Sequence, residues 1–358
     1  MTTMAEMDPA KTEAGMNMIV GNLAGGLISC MCSIGDRLGL FTDLANSGPA
    51  TSADFALRNG LSERYAREWL NCLAAAGYFE HDPATDRYTL PPAYAPILAQ
   101  EGHPLSAGPF FGALYAMEKA AVLGRLADAF RTGSGISQDV FGEDWQIVME
   151  RLSTPWYDHQ LVQQWIAADP AMEAKLTAGA EVADVGCGAG RALVRLAEAF
   201  PKSRFTGFDL FPAALTLANA KTAAAGVADR VSFQQVDAAK GLPGAFDVVM
   251  TADVVHDAAD PAGLLRSIRS VLKPDGTALV VEFNCGETLA DNAGPMGAMI
   301  YAISLIYCMS TSLAAGGAAL GMAGLPESKL RALALESGFG SLQRIAEDPF
   351  NAVYALRP

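Results

Sequence analysis

Positive charge is scarce in this chain: 25 Lys and Arg stand against 39 Asp and Glu, a net charge of -14. Nucleic-acid affinity rests on cationic groups that displace counterions from phosphates, so this balance argues against a nucleic-acid partner. Histidine is scarcer, with four residues in the whole sequence, at 81, 103, 159 and 256. The six cysteines, at 30, 32, 72, 187, 285 and 308, form no CxxC pair. Zinc-ribbon spacing is therefore absent, no metal site is expected, and free thiols in a reducing cytoplasm are the reading the cysteines support. Residues 292–326 carry no charge, a length that could cross a bilayer. Against a span, the stretch is rich in Gly, Ser and Thr, its flanks Asp291 and Glu327 are acidic, and no Lys or Arg anchors it. Residues 16–35 are similarly apolar. They follow Asp8, Lys11 and Glu13 instead of the basic segment of a signal peptide. The expectation is a soluble, cytoplasmic protein with no membrane partner.

What the chain does contain is apolar material, 51% of residues against 18% charged, which excludes a largely disordered protein. At 358 residues the prior is two domains. TSADFALRNG reads as a capped helix stopped by Asn59-Gly60, and LSERYAREWLNCLAAAG as a second, stopped by Gly77. The second helix is expected to bury Tyr65, Trp69, Leu70, Leu73 and Ala74. YFEHDPATDRYTL then looks like two short strands around a turn. Helix, turn, helix and β-ribbon is the pattern of a winged helix. We expect it within residues 1–100, followed by a helical connector over 101–174.

From residue 175 to 358 the pattern alternates. Strand-like runs at 181–187, 204–209, 231–237, 246–255 and 277–284 are separated by helical segments at 190–200, 212–225 and 261–272. This alternation specifies an α/β domain built on a doubly wound, largely parallel Rossmann-like sheet. Lys273-Pro274-Asp275-Gly276 is expected to end the last of those helices in a turn. SLQRIAED and FNAVYALRP lie close enough to pair as a closing antiparallel hairpin, which a plain Rossmann sheet lacks.

The first strand of that sheet runs into Gly186-Cys187-Gly188-Ala189-Gly190, where glycines permit a sharp turn and close approach of a ligand to the backbone. Asp184 precedes the turn, Asp209 ends the second strand and Asp237 ends the third. For a nucleoside with a cationic tail each acid has a task. Asp209 would accept the ribose hydroxyls, Asp237 an exocyclic amine, and Asp184 would face the ammonium. Structural alternatives stand beside these: a turn acid for Asp184 and a cap for Asp237. Arg191, opening the next helix, could meet the ligand's carboxylate or lie on the surface.

VADVGCGAG, FTGFDL and VSFQQVDAAKGLPGAFDVV resemble the successive motifs of class I S-adenosylmethionine-dependent methyltransferases. The N-terminal segment resembles the winged-helix domain of bacterial small-molecule O-methyltransferases, where it pairs two protomers. The resemblance implies S-adenosyl-L-methionine as cofactor, held by Asp184, Gly186, Gly188, Gly190, Asp209, Leu210, Asp237, Ala238 and Asp253. It also implies a homodimer, with residues 1–100 as the dimerisation domain, and a small-molecule acceptor whose pocket the connector 101–174 lines.

If the methyl acceptor is a hydroxyl, a base must remove its proton. His256, in TADVVHDAADP after the fourth strand, sits where the resembling family carries a His-Asp pair, with Asp257 orienting the ring or capping a turn. Those relatives usually have Trp after the pair, and Ala258 stands here. Trp156 and His159 are candidates to line the acceptor pocket, with inter-domain packing as the alternative. The insertion at 286–325 would roof the pocket with an adaptable apolar wall that includes Met299 and Tyr307, or fill a dimer core. The expected function is methyl transfer to a small hydrophobic or aromatic acceptor, at oxygen. The alternatives are C-, N- or S-methylation, a non-methylating reaction on the same fold, and a winged-helix DNA-binding regulator.

Overall fold

The computed structural model describes residues 8–358, which divide into two compact units, one ending at Lys119 and the other beginning at Ala120. Each has its own core.

The first unit opens with the helix Pro9–Arg37, capped by the Asp8 carboxylate, which accepts the N–H groups of Ala10 and Lys11. Only its C-terminal end is anchored: Cys32, Ser33 and Gly35 are buried, whereas Met16, Leu23 and Leu27 are exposed. Gly35 allows the close fit, since a Cβ there would meet the rings of Phe41 and Trp69 at 2.6 Å. The winged-helix elements follow in the expected order. Ser52–Asn59 is capped by Thr51 and ended by left-handed Gly60, Glu63–Ala75 is next, and β1 (Glu80–Asp82) pairs antiparallel with β2 (Arg87–Thr89). Phe55 stacks on Trp69, with ring centroids 5.8 Å apart. One expected core residue is misplaced. Tyr65 is 81% exposed, because the buried stripe of its helix is Ala66, Trp69, Leu70 and Leu73, an i, i+3, i+4, i+7 set that leaves position 65 at its edge.

The second unit is built on β3 (Glu181–Val185), β4 (Arg204–Asp209), β5 (Val231–Gln235), β6 (Phe246–Ala252), β7 (Leu272–Phe283), β8 (Ser341–Glu347) and β9 (Asn351–Arg357). Among the described residues these form one sheet in the order β5-β4-β3-β6-β7-β9-β8. β3 to β7 run parallel, and β9 lies antiparallel between β7 and β8 as the expected closing hairpin. Alternate residues of β3 serve opposite faces. Val182 joins a core with Leu193 and Leu196, and Ala183 joins one with Leu264 and Ile268. Lys273–Gly276 does not end the preceding helix as a separate turn. It lies inside β7 as a register jump, from Phe246 opposite Leu272 to Val248 opposite Thr277.

The chain leaves β3 toward β4 and β5, then returns to the other side of β3 as β6. The order of strands thus reverses between β3 and β6, and open α/β sheets bind ligands beyond the C-terminal ends at such a point. The uncharged insertion supplies the helix Pro295–Ile303, a π-helical turn Ser304–Cys308 and the helix Met309–Ala314. Pro9–Arg37 and Pro295–Ala314 are both long and apolar enough to cross a membrane, by length and composition alone.

Candidate active site

The loops after β3, β4 and β6 meet at the switch point. Gly186 and Gly190 adopt left-handed backbone, with φ of 77° and 75°. A Cβ on Gly186 would come within 2.5 Å of Val254, and one on Gly190 within 2.9 Å of Ala218 and Phe233. Gly188 between them faces open space, with no atom within 4 Å of where its Cβ would stand. Two glycines close the bend and the third leaves its outer face accessible.

Asp209 braces the bend. One carboxylate oxygen accepts the Gly188 N–H at 2.8 Å and the other accepts the Phe211 N–H at 2.9 Å. A carboxylate offers about four acceptor sites, so both oxygens retain capacity for a ligand. Burial raises the pKa of Asp209 while those main-chain donors oppose the shift. The next residue, Leu210, is 49% exposed, an apolar side chain left uncovered beside a carboxylate. Asp184 is buried, and desolvation together with the charge of Asp209 pushes its pKa up to about 8.

Asp253 follows β6 in a left-handed conformation (φ 56°), uncommon for a residue with a side chain. Burial pushes its pKa up to about 7, and one of its carboxylate oxygens is buried without a hydrogen-bond partner. Tyr157 reaches the same region. Its phenol is pushed well up by burial and by the charges of Asp184 and Asp253. Buried acids in a sheet-edge crevice, one without a partner, form a site that favours a cation.

His256, 2% exposed, stands between two carboxylates. Nδ1 is 2.5 Å from Glu282, whose other oxygen accepts the Val255 N–H at 2.8 Å. Nε2 is 3.1 Å from Asp257, a contact not aligned as a hydrogen bond. Burial works against a charged ring, but Asp257 and Glu282 outweigh it and hold the pKa well above the ordinary histidine value. Tyr307 lies within electrostatic reach of Asp257, packs its ring on Phe141 and Trp145, and accepts the Gln138 amide at 2.8 Å. Met299 is partly buried on the helix Pro295–Ile303.

Other expected site residues occupy plainer positions. Asp237 accepts the Ala239 N–H at 3.3 Å and meets Lys240 at 2.8 Å, with Ala238 partly buried beside it. Trp156 packs against the core that contains Leu161 and Leu193, and His159 is exposed at the end of its helix. Arg191 is bound to Asp158 through Nε at 2.8 Å, and Arg195 joins the same carboxylate at 2.7 Å. One residue of the site escapes sequence reasoning: Glu282, whose signal is that of a single acid inside the apolar strand TALVVEF.

Residues 176–315 match a family model described as a methyltransferase domain, and residues 26–100 match the Rv2258c-like winged HTH domain. The chain carries a methyltransferase domain behind a winged-helix domain. Among curated proteins it is 37% identical to a Synechococcus protein over 98 residues, 26% of this chain and 23% of that one. It is 34% identical to the ubiquinone biosynthesis O-methyltransferase of Pseudomonas aeruginosa over 110 residues, 30% of this chain and 46% of that one. The match thus spans less than half the length of either relative. Among solved structures the fold is shared with mitomycin 7-O-methyltransferase, with a TM-score of 0.71 at 22% identity over 98% of this chain and 100% of that one. Human N-acetylserotonin methyltransferase, solved in complex with SAM, gives 0.72 at 19% identity over 99% of both chains. An O-methyltransferase family protein from Burkholderia thailandensis gives 0.71 at 20% identity over 96% of this chain and 98% of that one. The methyltransferase domain has the sheet order of this fold, and the glycine bend and His256 lie inside the matched segment.

Proposed function

We propose that the protein transfers a methyl group from S-adenosyl-L-methionine to the oxygen of a small hydrophobic or aromatic acceptor. The observation that carries this reading is the unpartnered buried carboxylate oxygen of Asp253, on the same crevice as Asp184 and an open-faced glycine bend. Asp209 has acceptor capacity for ribose hydroxyls, and Leu210 and Ala238 offer apolar surface for a base. Asp184 and Asp253 suit the positive end. When bound, the cofactor supplies a methyl group on a cationic sulfur, which needs mainly an aligned lone pair. The chain's own chemical task is the acceptor proton. His256 takes it at Nε2 once the ring has released the proton that Asp257 and Glu282 favour, so the step gains as pH rises; Glu282 fixes the ring through Nδ1, and the two carboxylates stabilise the imidazolium that results. Tyr307 and Met299 supply apolar wall, and the uncharged insertion keeps that side free of groups that would bind a strongly ionic acceptor.

We further propose a cytoplasmic homodimer, joined through the exposed apolar stripe of the helix Pro9–Arg37, with neither nucleic acid nor membrane as partner. On the winged helix, Arg64 pairs with Glu68 and Arg67 with Glu63, so the cations of the helix that would read DNA are already neutralised.

Calorimetry on the full chain tests the cofactor: binding heat is expected from S-adenosylmethionine and its demethylated product and none from NADH, and the reverse result overturns the reading. With a hydroxyl acceptor in hand, His256→Ala is expected to lower turnover by about 10²–10⁴-fold while cofactor affinity holds. Unchanged turnover removes the base assignment.

A further inference from the structure

The glycine bend is held from two sides. On the sheet side, the Phe208 carbonyl accepts the N–H groups of Gly186 and Cys187 at 2.8 and 3.1 Å, and the Asp209 carboxylate accepts that of Gly188 at 2.8 Å. On the other side the bend runs straight into the helix Arg191–Ala199, whose first residue is tied to a separate element. Asp158, at the end of the helix Gly142–His159, accepts Nε of Arg191 at 2.8 Å and, with its second oxygen, Nη2 of the same guanidinium. Arg195, one turn further along, donates from its Nε to the first of those oxygens at 2.7 Å.

Arg191 needs such a partner. The N-terminal end of a helix carries partial positive charge from its unpaired N–H groups, so a cation in the first turn is disfavoured unless an anion meets it. The Asp158 side chain is only 12% exposed, so solvent screens the contact less than it screens a surface ion pair. Burial works to raise the Asp158 pKa, yet the bonds from Arg195 and Arg191 hold it below the ordinary carboxylate value. A forked pair of N–H···O bonds also fixes angle as well as distance. Glu198 meets Arg195 at 2.9 Å, which makes the group of two arginines and two acids neutral.

We propose that, given the cofactor reading above, Asp158 is a positioning residue for S-adenosyl-L-methionine: by clamping Arg191 and Arg195 it fixes the helix that closes the glycine bend. Gly188, whose outer face is open, lies between this clamp and the anchors on β4. A shift at either side moves the backbone that the nucleoside would meet. Asp158 itself touches no ligand in this role. It acts through Arg191.

The test is calorimetry on the purified full chain with S-adenosylmethionine and with its demethylated product, whose sulfur is uncharged. Asp158→Asn is expected to weaken both ligands by about tenfold and to leave the ratio of their affinities unchanged, since the bend and not the charge has moved. Asp158→Glu is expected to restore most of that loss. Glu198→Gln, which removes the other partner of Arg195, keeps full affinity. Arg191→Lys keeps the charge but loses the fork, and its expected weakening of several-fold is the second readout should Asp158→Asn not fold. A merely structural role would lower the melting temperature and leave the affinity of the folded protein intact. Full affinity in Asp158→Asn or Arg191→Lys, a loss confined to the cationic ligand, or no recovery in Asp158→Glu overturns the proposal. Such a result leaves the cofactor reading standing, because the unaltered protein still binds. Binding of neither ligand by the unaltered protein removes that reading and the positioning role together.

Discussion

Glu282 holds His256 from the end of β7, with an oxygen 2.5 Å from Nδ1 and its other oxygen pinned by the Val255 N–H. At 1% exposure it is a carboxylate buried in the centre of a sheet, and burial of that kind is tolerated only when both oxygens are satisfied. The pair fixes the ring so that Nε2 is the nitrogen left facing Asp257.

Replacing Glu282 by Gln keeps the shape and removes the charge that stabilises the imidazolium. Glu282→Gln is expected to lower kcat by about 10²–10⁴-fold, with KM for the cofactor close to that of the unaltered protein. Equal losses in kcat and in cofactor affinity would instead show a general collapse of the crevice. Steady-state kinetics with the two substrates varied in turn separate the outcomes.

The glycine bend and its acids were legible in the sequence, and the surroundings of His256 only partly so. Glycines, strand-end acids and the closing hairpin are local patterns, and local patterns survive without a structure. Glu282 meeting His256, or Asp158 meeting Arg191 and Arg195, joins segments distant in sequence, and no periodicity encodes that. Tyr65 shows the limit within one helix, where a single position at the edge of the apolar stripe decides between core and solvent. Lys273–Gly276 reads as turn chemistry, yet β7 absorbs it because its first residue already pairs with Phe246.

Asp184 links the site to stability. Its folded pKa of about 8 exceeds the ordinary carboxyl value of 3.8, through burial and through Asp209, with the Tyr157 phenol also within reach of its charge. The folded state therefore keeps a proton that the unfolded chain has released above about pH 4, and stability falls as pH rises from there to about 8. Asp184→Asn removes that slope. Its melting temperature without cofactor is expected to match the unaltered protein near pH 4 and exceed it increasingly toward pH 8. Cofactor affinity should fall on the order of tenfold, since a cation then loses its ionised partner. Parallel melting curves across that pH range would disprove the assignment.

Gly190 offers a test independent of charge. It sits at φ 75°, and a Cβ would approach Ala218 and Phe233 at 2.9 Å. Gly190→Ala is expected to cost about 1–3 kcal/mol, from the backbone conformation and the overpacking together. It should also weaken cofactor binding by displacing the bend. Gly226→Ala is the control, at φ 69° with no atom within 4 Å, and it carries the backbone cost alone. Chemical denaturation should therefore rank Gly190→Ala below Gly226→Ala, and equal stability would show that the close packing contributes nothing.

The helix Pro9–Arg37 presents Met16, Val20, Leu23 and Leu27, all more than half exposed, along one stripe. A contiguous apolar surface of this kind is ordinarily covered, and a second copy can cover it with the same stripe by twofold symmetry. The double substitution Leu23→Glu with Leu27→Glu places two like charges on each side of such an interface and leaves the anchored end at Cys32 and Gly35 untouched. Light scattering on the full chain is expected to report a dimer for the unaltered protein and a monomer for the variant, with cofactor binding retained. A monomer before substitution, or a dimer after it, would place the subunit contact elsewhere or remove it.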